Sequence, residues 1–198
     1  MTNEQFKRLK EAIKNFKKWK LFKIIFLLIS IIIGISTIFY TIPSESVGVV
    51  LRFGKYSSTT DPGLHLKLPF FIDQVEKVPV RRQLKQEFGF GTAGATNYYQ
   101  YSNPNTQQAE KSMVTGDSNV ALVEWVVQYK VKDPKDYLFQ VRRPDETLRD
   151  ASESIMREVV GDRTVDEVIT FGRQEIEIEA KTKLQSLVNK YEMGIAID

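Results

Sequence analysis

The chain of 198 residues has no cysteine and a single histidine, His65. The first absence removes a disulfide framework, a thiolate nucleophile and any cysteine-based metal site. The second leaves one imidazole, so a transition-metal site would rest on carboxylates and a Ser-His-Asp triad could use only His65. That residue follows a turn inside a short apolar run, the setting of a partly exposed strand residue. There is no GxSxG elbow, and Ser44 and Ser46 lie just after the longest apolar run. Carboxylates gather mainly in helix-surface patterns (Asp145-Glu146, Asp166-Glu167, Glu175/Glu177/Glu179), which capping and solvation explain. No catalytic, cofactor-binding or metal set is assembled, and no small-molecule substrate is indicated. Gly89-Phe-Gly-Thr-Ala-Gly94 matches GxGxxG, yet a dinucleotide fingerprint must open a helix, and the Ala-Thr-Asn-Tyr-Tyr-Gln that follows does not.

Net charge is small beyond the N-terminus. Residues 1–23 carry eight Lys/Arg against Glu4 and Glu11, a net of +6 within a total of +3, so the remaining 175 residues carry −3. The basic balance therefore belongs to an arm and gives no footprint for nucleic acid. Phe6, Leu9, Ile13 and Phe16 recur at helical spacing among its lysines, which suits a basic amphipathic helix at a membrane surface or a plain charge clamp for topology.

One apolar run is long. Ile24 to Ile42 is 19 residues without charge, thirteen of them Ile, Leu or Phe. At about 1.5 Å per residue it would reach roughly 28 Å, near the hydrocarbon thickness of a bilayer. We take Ile24, Phe26, Leu28, Ile32, Ile35 and Phe39 as its anchor residues, with Trp19 and Tyr40 near its ends. A cleaved signal peptide has a shorter apolar core and a small-residue cleavage site, and Thr41-Ile-Pro-Ser44 is not one. The positive-inside rule places the arm in the cytoplasm and the remainder outside. The expected organisation is a basic arm at 1–23, a transmembrane helix at 24–42, and a domain at 43–198 with a long flexible loop at 86–111.

The domain reads as α+β. Val47 to Phe53, Leu64 to Pro69 and Ile72 to Val80 suit short strands, broken by the turn signal Asp61-Pro62-Gly63. Val120 to Val131 alternates apolar at odd positions, a long strand with one face on a core. Pro144 opens a helix whose stripe is Leu148, Ala151, Ile155 and Val159, with Gly161 as its stop. Thr164 and Glu167 form a capping box. A longer helix over 173–191 presents Ile176, Ala180, Leu184, Leu187 and Tyr191, while Glu177–Lys181 and Glu179–Lys183 pair on its other face. Ile195-Ala-Ile197 begins a strand, which suggests a fragment of a longer protein.

Gly48-Val-Val-Leu-Arg-Phe-Gly-Lys-Tyr56, Pro62-Gly-Leu-His-Leu-Lys-Leu-Pro-Phe70, Ile72-Asp73 and Val75 resemble the opening of an SPFH (band 7) domain, the module of stomatins, prohibitins and flotillins. Thr115-Gly-Asp-Ser-Asn-Val120, Val127-Gln-Tyr-Lys-Val-Lys-Asp-Pro134, Tyr137-Leu-Phe139, Thr147-Leu-Arg149, Met156-Arg-Glu-Val-Val-Gly161 and Gly172-Arg173 are similar to its HflK-type branch. The resemblance covers roughly residues 40–198 and implies a largely antiparallel, mixed sheet with packed helices, cut before a coiled coil. Gly48, Gly54, Pro62 and Gly63 would then be family-motif turns. It also implies a non-catalytic scaffold in a bacterial inner membrane, assembled with an HflC-like subunit and acting on an FtsH-type membrane protease, without cofactor. A stomatin-like organiser of membrane domains, with no protease partner, is the alternative.

Overall fold

The computed structural model describes residues 19, 22–30, 32–34, 36–92 and 104–198. Residues 19, 22–30, 32–34 and 36 are helical and are labelled α1. Then come β1 (Phe39–Ile42), β2 (Ser46–Arg52), β3 (Lys55–Thr60), β4 (Gly63–Leu66), β5 (Asp73–Pro79) and β6 (Leu84–Phe88). The second half holds α2 (Pro104–Lys111), β7 (Ser112–Val114), β8 (Val120–Leu122), β9 (Trp125–Val131), α3 (Pro134–Phe139), α4 (Pro144–Gly161), α5 (Val165–Ile169), α6 (Arg173–Lys190) and β10 (Ile195–Ile197).

The strands form four small sheets in the orders β1-β4, β3-β2-β5, β10-β9-β6 and β7-β8. Every pairing among the described residues is antiparallel, where a mixed sheet was expected. The main core lies between β6-β9-β10 and the helices. Trp125, Val127 and Tyr129 from β9 meet Leu148, Ile155 and Val159 from α4 and Ile176, Ala180 and Leu184 from α6. A smaller cluster of Val49, Val78 and Val131 joins the β3-β2-β5 sheet to the β10-β9-β6 sheet.

The periodic signals become real elements. Pro144 stands at the start of α4, and its stripe of Leu148, Ala151, Ile155 and Val159 is buried. Thr164 and Glu167 cap α5 reciprocally. On α6 the inner face closes with Val188, while Tyr191 lies past the helix end and is exposed.

Other expectations change as well. The helix runs no further than residue 36, and 39–42 is strand: Phe39 pairs with Leu66 and Ile42 with Gly63. Thr37-Ile-Phe-Tyr-Thr-Ile42 is rich in β-branched and aromatic residues, and a partner strand 20-odd positions on decides its state. Phe39 is thus no helical anchor residue, and Ile35 lies outside the described residues. The expected loop at 86–111 is ordered at both ends, as the end of β6 and as α2; its centre, 93–103, is outside the described residues. The strand over 120–131 breaks at Val123, whose N–H donates to the Lys111 carbonyl at 2.8 Å. β8 therefore pairs with β7, while β9 pairs with β6 and β10.

Gly48 is not at a turn either. It lies inside β2, where a Cβ would stand 2.5 Å from Ile42 Cδ1 and 2.8 Å from Thr60 Oγ1. Close packing of β1, β3 and β5 around β2 demands a glycine there. Gly54, at φ +78°, does make the β2–β3 turn, and Pro62-Gly63 leads into β4.

Candidate functional site

The exposed side of α1 is the first candidate surface. Trp19, Phe22, Ile24, Phe26, Leu28 and Ile32 all stand out from the molecule, and Lys23 places its ammonium 4.3 Å above the Trp19 ring. A helix apolar on all sides is stable in contact with another apolar phase, not with water. Among the described residues no helix is long and apolar enough to cross a membrane. Positions 24–36 span roughly 20 Å at about 1.5 Å per residue, since 39–42 has gone to the sheet.

β1 and β4 extend this surface. Phe39 lies opposite Leu66, and Thr41 opposite Leu64, so alternation puts Phe39, Leu64 and Leu66 on one face of the ribbon. All three are exposed. The other face carries Tyr40 and His65, whose rings are 5.7 Å apart. Tyr40 Oη lies 3.2 Å from Thr60 Oγ1, and His65 Nε2 lies 2.7 Å from the Asp61 carbonyl oxygen. His65 is a half-buried ribbon residue, and Ser46 is buried at the start of β2.

The motif at 89–94 has a local structural part to play at its first residue. Gly89 adopts φ +79°, and its N–H donates to Glu110 Oε2 at 3.1 Å. A Cβ there would meet Lys111 Cβ at 2.7 Å. This glycine brings the end of β6 against α2.

Sequence reasoning missed what holds that junction together. Glu110 and Arg149 are both buried and form a two-nitrogen ion pair. Arg149 also donates to the Glu87 carbonyl at 3.1 Å, and its guanidinium lies 4.5 Å from the Phe88 ring centre. Phe88 in turn stacks on Trp125 with centroids 4.5 Å apart, and Trp125 Nε1 donates to Ser152 at 3.1 Å. A helical spacing did carry the signal: Arg149, Ser152, Met156 and Val160 form a second buried stripe of α4. Nothing in it identified Glu110, 39 positions away, as the partner.

Nearby, Asp145 accepts from Tyr129 at 2.8 Å and Tyr137 at 3.0 Å, tying β9 and α3 to α4. Burial first, then the Asp145 carboxylate, pushes the Tyr129 phenol far above its ordinary pKa. It acts as a fixed hydrogen-bond donor, unsuited to proton transfer near neutrality.

Two further surfaces remain. A cleft of about 530 Å³ opens beside β9, between Trp125, Ile155, Ile176 and Leu184. The outward face of the β7–β8 hairpin presents Val114, Val120 and Leu122, all exposed, with Val114 directly opposite Val120. Exposed aliphatic faces of this kind mark contact surfaces more often than solvent boundaries.

Comparison with known proteins gives these surfaces a context. The model of the SPFH domain / Band 7 family matches residues 40–197. The chain belongs to this family. It is 37% identical over 169 residues to Protein HflK of Treponema pallidum (strain Nichols), covering 84% of the chain and 51% of that protein. It is 34% identical over 189 residues to Protein HflK of Borreliella burgdorferi, covering 96% and 58%. Modulator of FtsH protease HflK of Escherichia coli (strain K12) is 37% identical over 167 residues, 84% of this chain and 35% of that protein. The chain thus spans about half the length of the first two HflK relatives. The expected family, and its HflK-like character, are as the motifs at 48–75 and 115–173 implied.

Proposed function

We propose that this chain is the membrane-proximal part of an HflK-like scaffold subunit, which assembles with an HflC-like subunit and regulates an FtsH-type membrane protease. The observation that carries the reading is a band 7 domain, similar throughout to HflK proteins, joined directly to an apolar helix with its side chains outward. In this reading α1 is the lipid anchor of a single-pass protein in a bacterial inner membrane. The basic arm at 1–23 stays in the cytoplasm and the domain lies on the outer side, as the positive-inside rule favours. The scaffold itself is non-catalytic. The apolar face of the β7–β8 hairpin supports lateral packing between subunits, and Arg149–Glu110 keeps the adjoining junction rigid.

Affinity purification of the full-length protein from its own membranes tests this. An FtsH-type protease and an HflC-like subunit are expected in the eluate. Their absence, with the protein itself intact and oligomeric, would overturn the protease-regulating role and favour a stomatin-like organiser.

A further inference from the structure

The β10-β9-β6 sheet ends at β6, and among the described residues no strand lies beyond it. Such an edge is a template for another strand, and proteins cover or block it. Residues along an antiparallel strand turn their N–H and C=O alternately to one side and the other. The Asp198 N–H donates to the Gln128 carbonyl, so the even-numbered residues of β9 face β10, while Trp125, Val127 and Tyr129 face β6. Their partners Phe88, Gln86 and Leu84 are turned towards β9, which leaves the backbone groups of Lys85, Glu87 and Gly89 on the outer edge.

Side chains meet two of those outer groups. The Gly89 N–H donates to Glu110 Oε2 at 3.1 Å, and the Glu87 carbonyl accepts from Arg149 Nη1 at 3.1 Å. Glu110 and Arg149 also bond to each other. The ion pair thus offers β6 one acceptor and one donor, as a neighbouring strand would. α2 carries Glu110 there without an apolar anchor, since Glu110 is the one buried residue of its eight. Its other hold is Arg157 of α4, which donates to the Ala109 and Ser112 carbonyls at 3.1 and 3.3 Å. A helix held mainly by polar contacts opens more readily than the core beneath it.

We infer that the Glu110–Arg149 pair is a guard that closes the β6 edge, and that release of α2 opens this edge to β6 of a second copy of the chain. The sequence of the edge favours that occupant. Set antiparallel about Gln86, two copies of Leu84-Lys-Gln-Glu-Phe88 place Lys85 opposite Glu87 of the second copy, and Leu84 opposite Phe88. Residues 85 and 87 then exchange backbone hydrogen bonds across the pair, and the side chains match in charge or apolarity. The contact is isologous, so it closes as a dimer. In the guarded state Lys85 pairs instead with Glu87 of its own strand.

Hydrogen exchange and pulsed dipolar spectroscopy on the full chain in detergent test this. In wild type the Gly89 amide should exchange together with the amides of α2, because both are protected while α2 is docked. Gly89 exchange unlinked to that of α2 overturns the guard, whatever any variant does. Glu110→Ala/Arg149→Met removes both stand-in bonds and leaves no orphan charge; its folding is checked by near-ultraviolet dichroism. At low concentration its amides at 85–89 should exchange about tenfold faster, through loss of buried hydrogen bonds, and unchanged exchange in the folded variant overturns the guard. A nitroxide on Gln83→Cys, clean because the chain has no native cysteine, then reads the pairing. Gln83 and its copy would lie three positions either side of Gln86, about 20 Å apart at roughly 3.4 Å per residue. That distance should appear in the double variant at high concentration, be absent from wild type, and vanish when Lys85→Glu sets like charges across the pair. Its presence in wild type shows the edge already open and overturns the guard. Faster exchange without that distance overturns the second copy as occupant, and its survival of Lys85→Glu overturns the register.

Discussion

Arg149→Met should be among the most damaging substitutions in the domain, although it touches no proposed partner. It leaves the buried Glu110 carboxylate with only the Gly89 N–H of the contacts described above, and removes the donor to the Glu87 carbonyl. Breaking one side of a buried pair costs about 3–5 kcal/mol, because a desolvated charge is left uncompensated. Methionine keeps most of the stem volume above Phe88, so packing loss is secondary. For a domain of this size each kcal/mol moves Tm by about 2–4 °C, which gives a fall of roughly 6–20 °C. The assay is thermal unfolding by circular dichroism in one detergent at neutral pH. A double-mutant cycle adds the decisive arm: Glu110→Gln removes the orphan charge while retaining an acceptor for Gly89. Arg149→Met/Glu110→Gln should therefore regain a substantial part of the loss, with a coupling above about 1 kcal/mol. Additive losses, or a single-variant loss below about 1 kcal/mol, would refute the burial of this pair and the docking of α2 through it.

Three more predictions follow from local geometry. Gly48→Ala puts a Cβ 2.5 Å from Ile42 Cδ1 and should cost about 1–3 kcal/mol by overpacking; Ile42→Val, which deletes that methyl, should recover part of it in urea melts. Thr164→Ala removes the cap acceptor for the Glu167 N–H and should cost about 1 kcal/mol, read as faster amide exchange confined to α5. Asp73 is held below its ordinary pKa by Arg52 first and by the Leu68 N–H next. A carboxylate depressed in the folded state contributes stability above its unfolded value, near 3.9, and loses it as pH falls through the folded one. Asp73→Asn should accordingly be less stable than wild type at neutral pH, with the gap closing as pH drops below about 4; a gap constant with pH would contradict the pairing.

The elements legible in the sequence were those whose cause is local. Pro144, the stripe from Leu148 to Val159, the Thr164 capping box and the Pro62-Gly63 turn each depend on residues a few positions apart. The family was legible for a related reason: short motifs of turn and core residues survive as contiguous strings. The exposed apolar surface of the first half was half legible. The run from Ile24 announced itself by composition, but Phe53 and Phe71 looked like ordinary turn neighbours. The pairing of their turns depends on the Phe53–Ile72 hydrogen bond and on Asp73, 21 positions from Arg52.

By itself the sequence determined the charge asymmetry, the single apolar run, the periods of the main helices and strands, and the motifs of the family. These are properties of composition and short spacing, and folding does not alter them. Only the tertiary structure decided that Phe39–Ile42 is strand and not helix end, that Gly48 answers to packing and not to a turn, and that Glu110 is buried against Arg149. The physical reason is common to all three. Strand pairing, steric closeness and desolvation are relations between distant residues, so an uncharged residue reads as helix, a glycine as turn and a glutamate as surface until the partner is known.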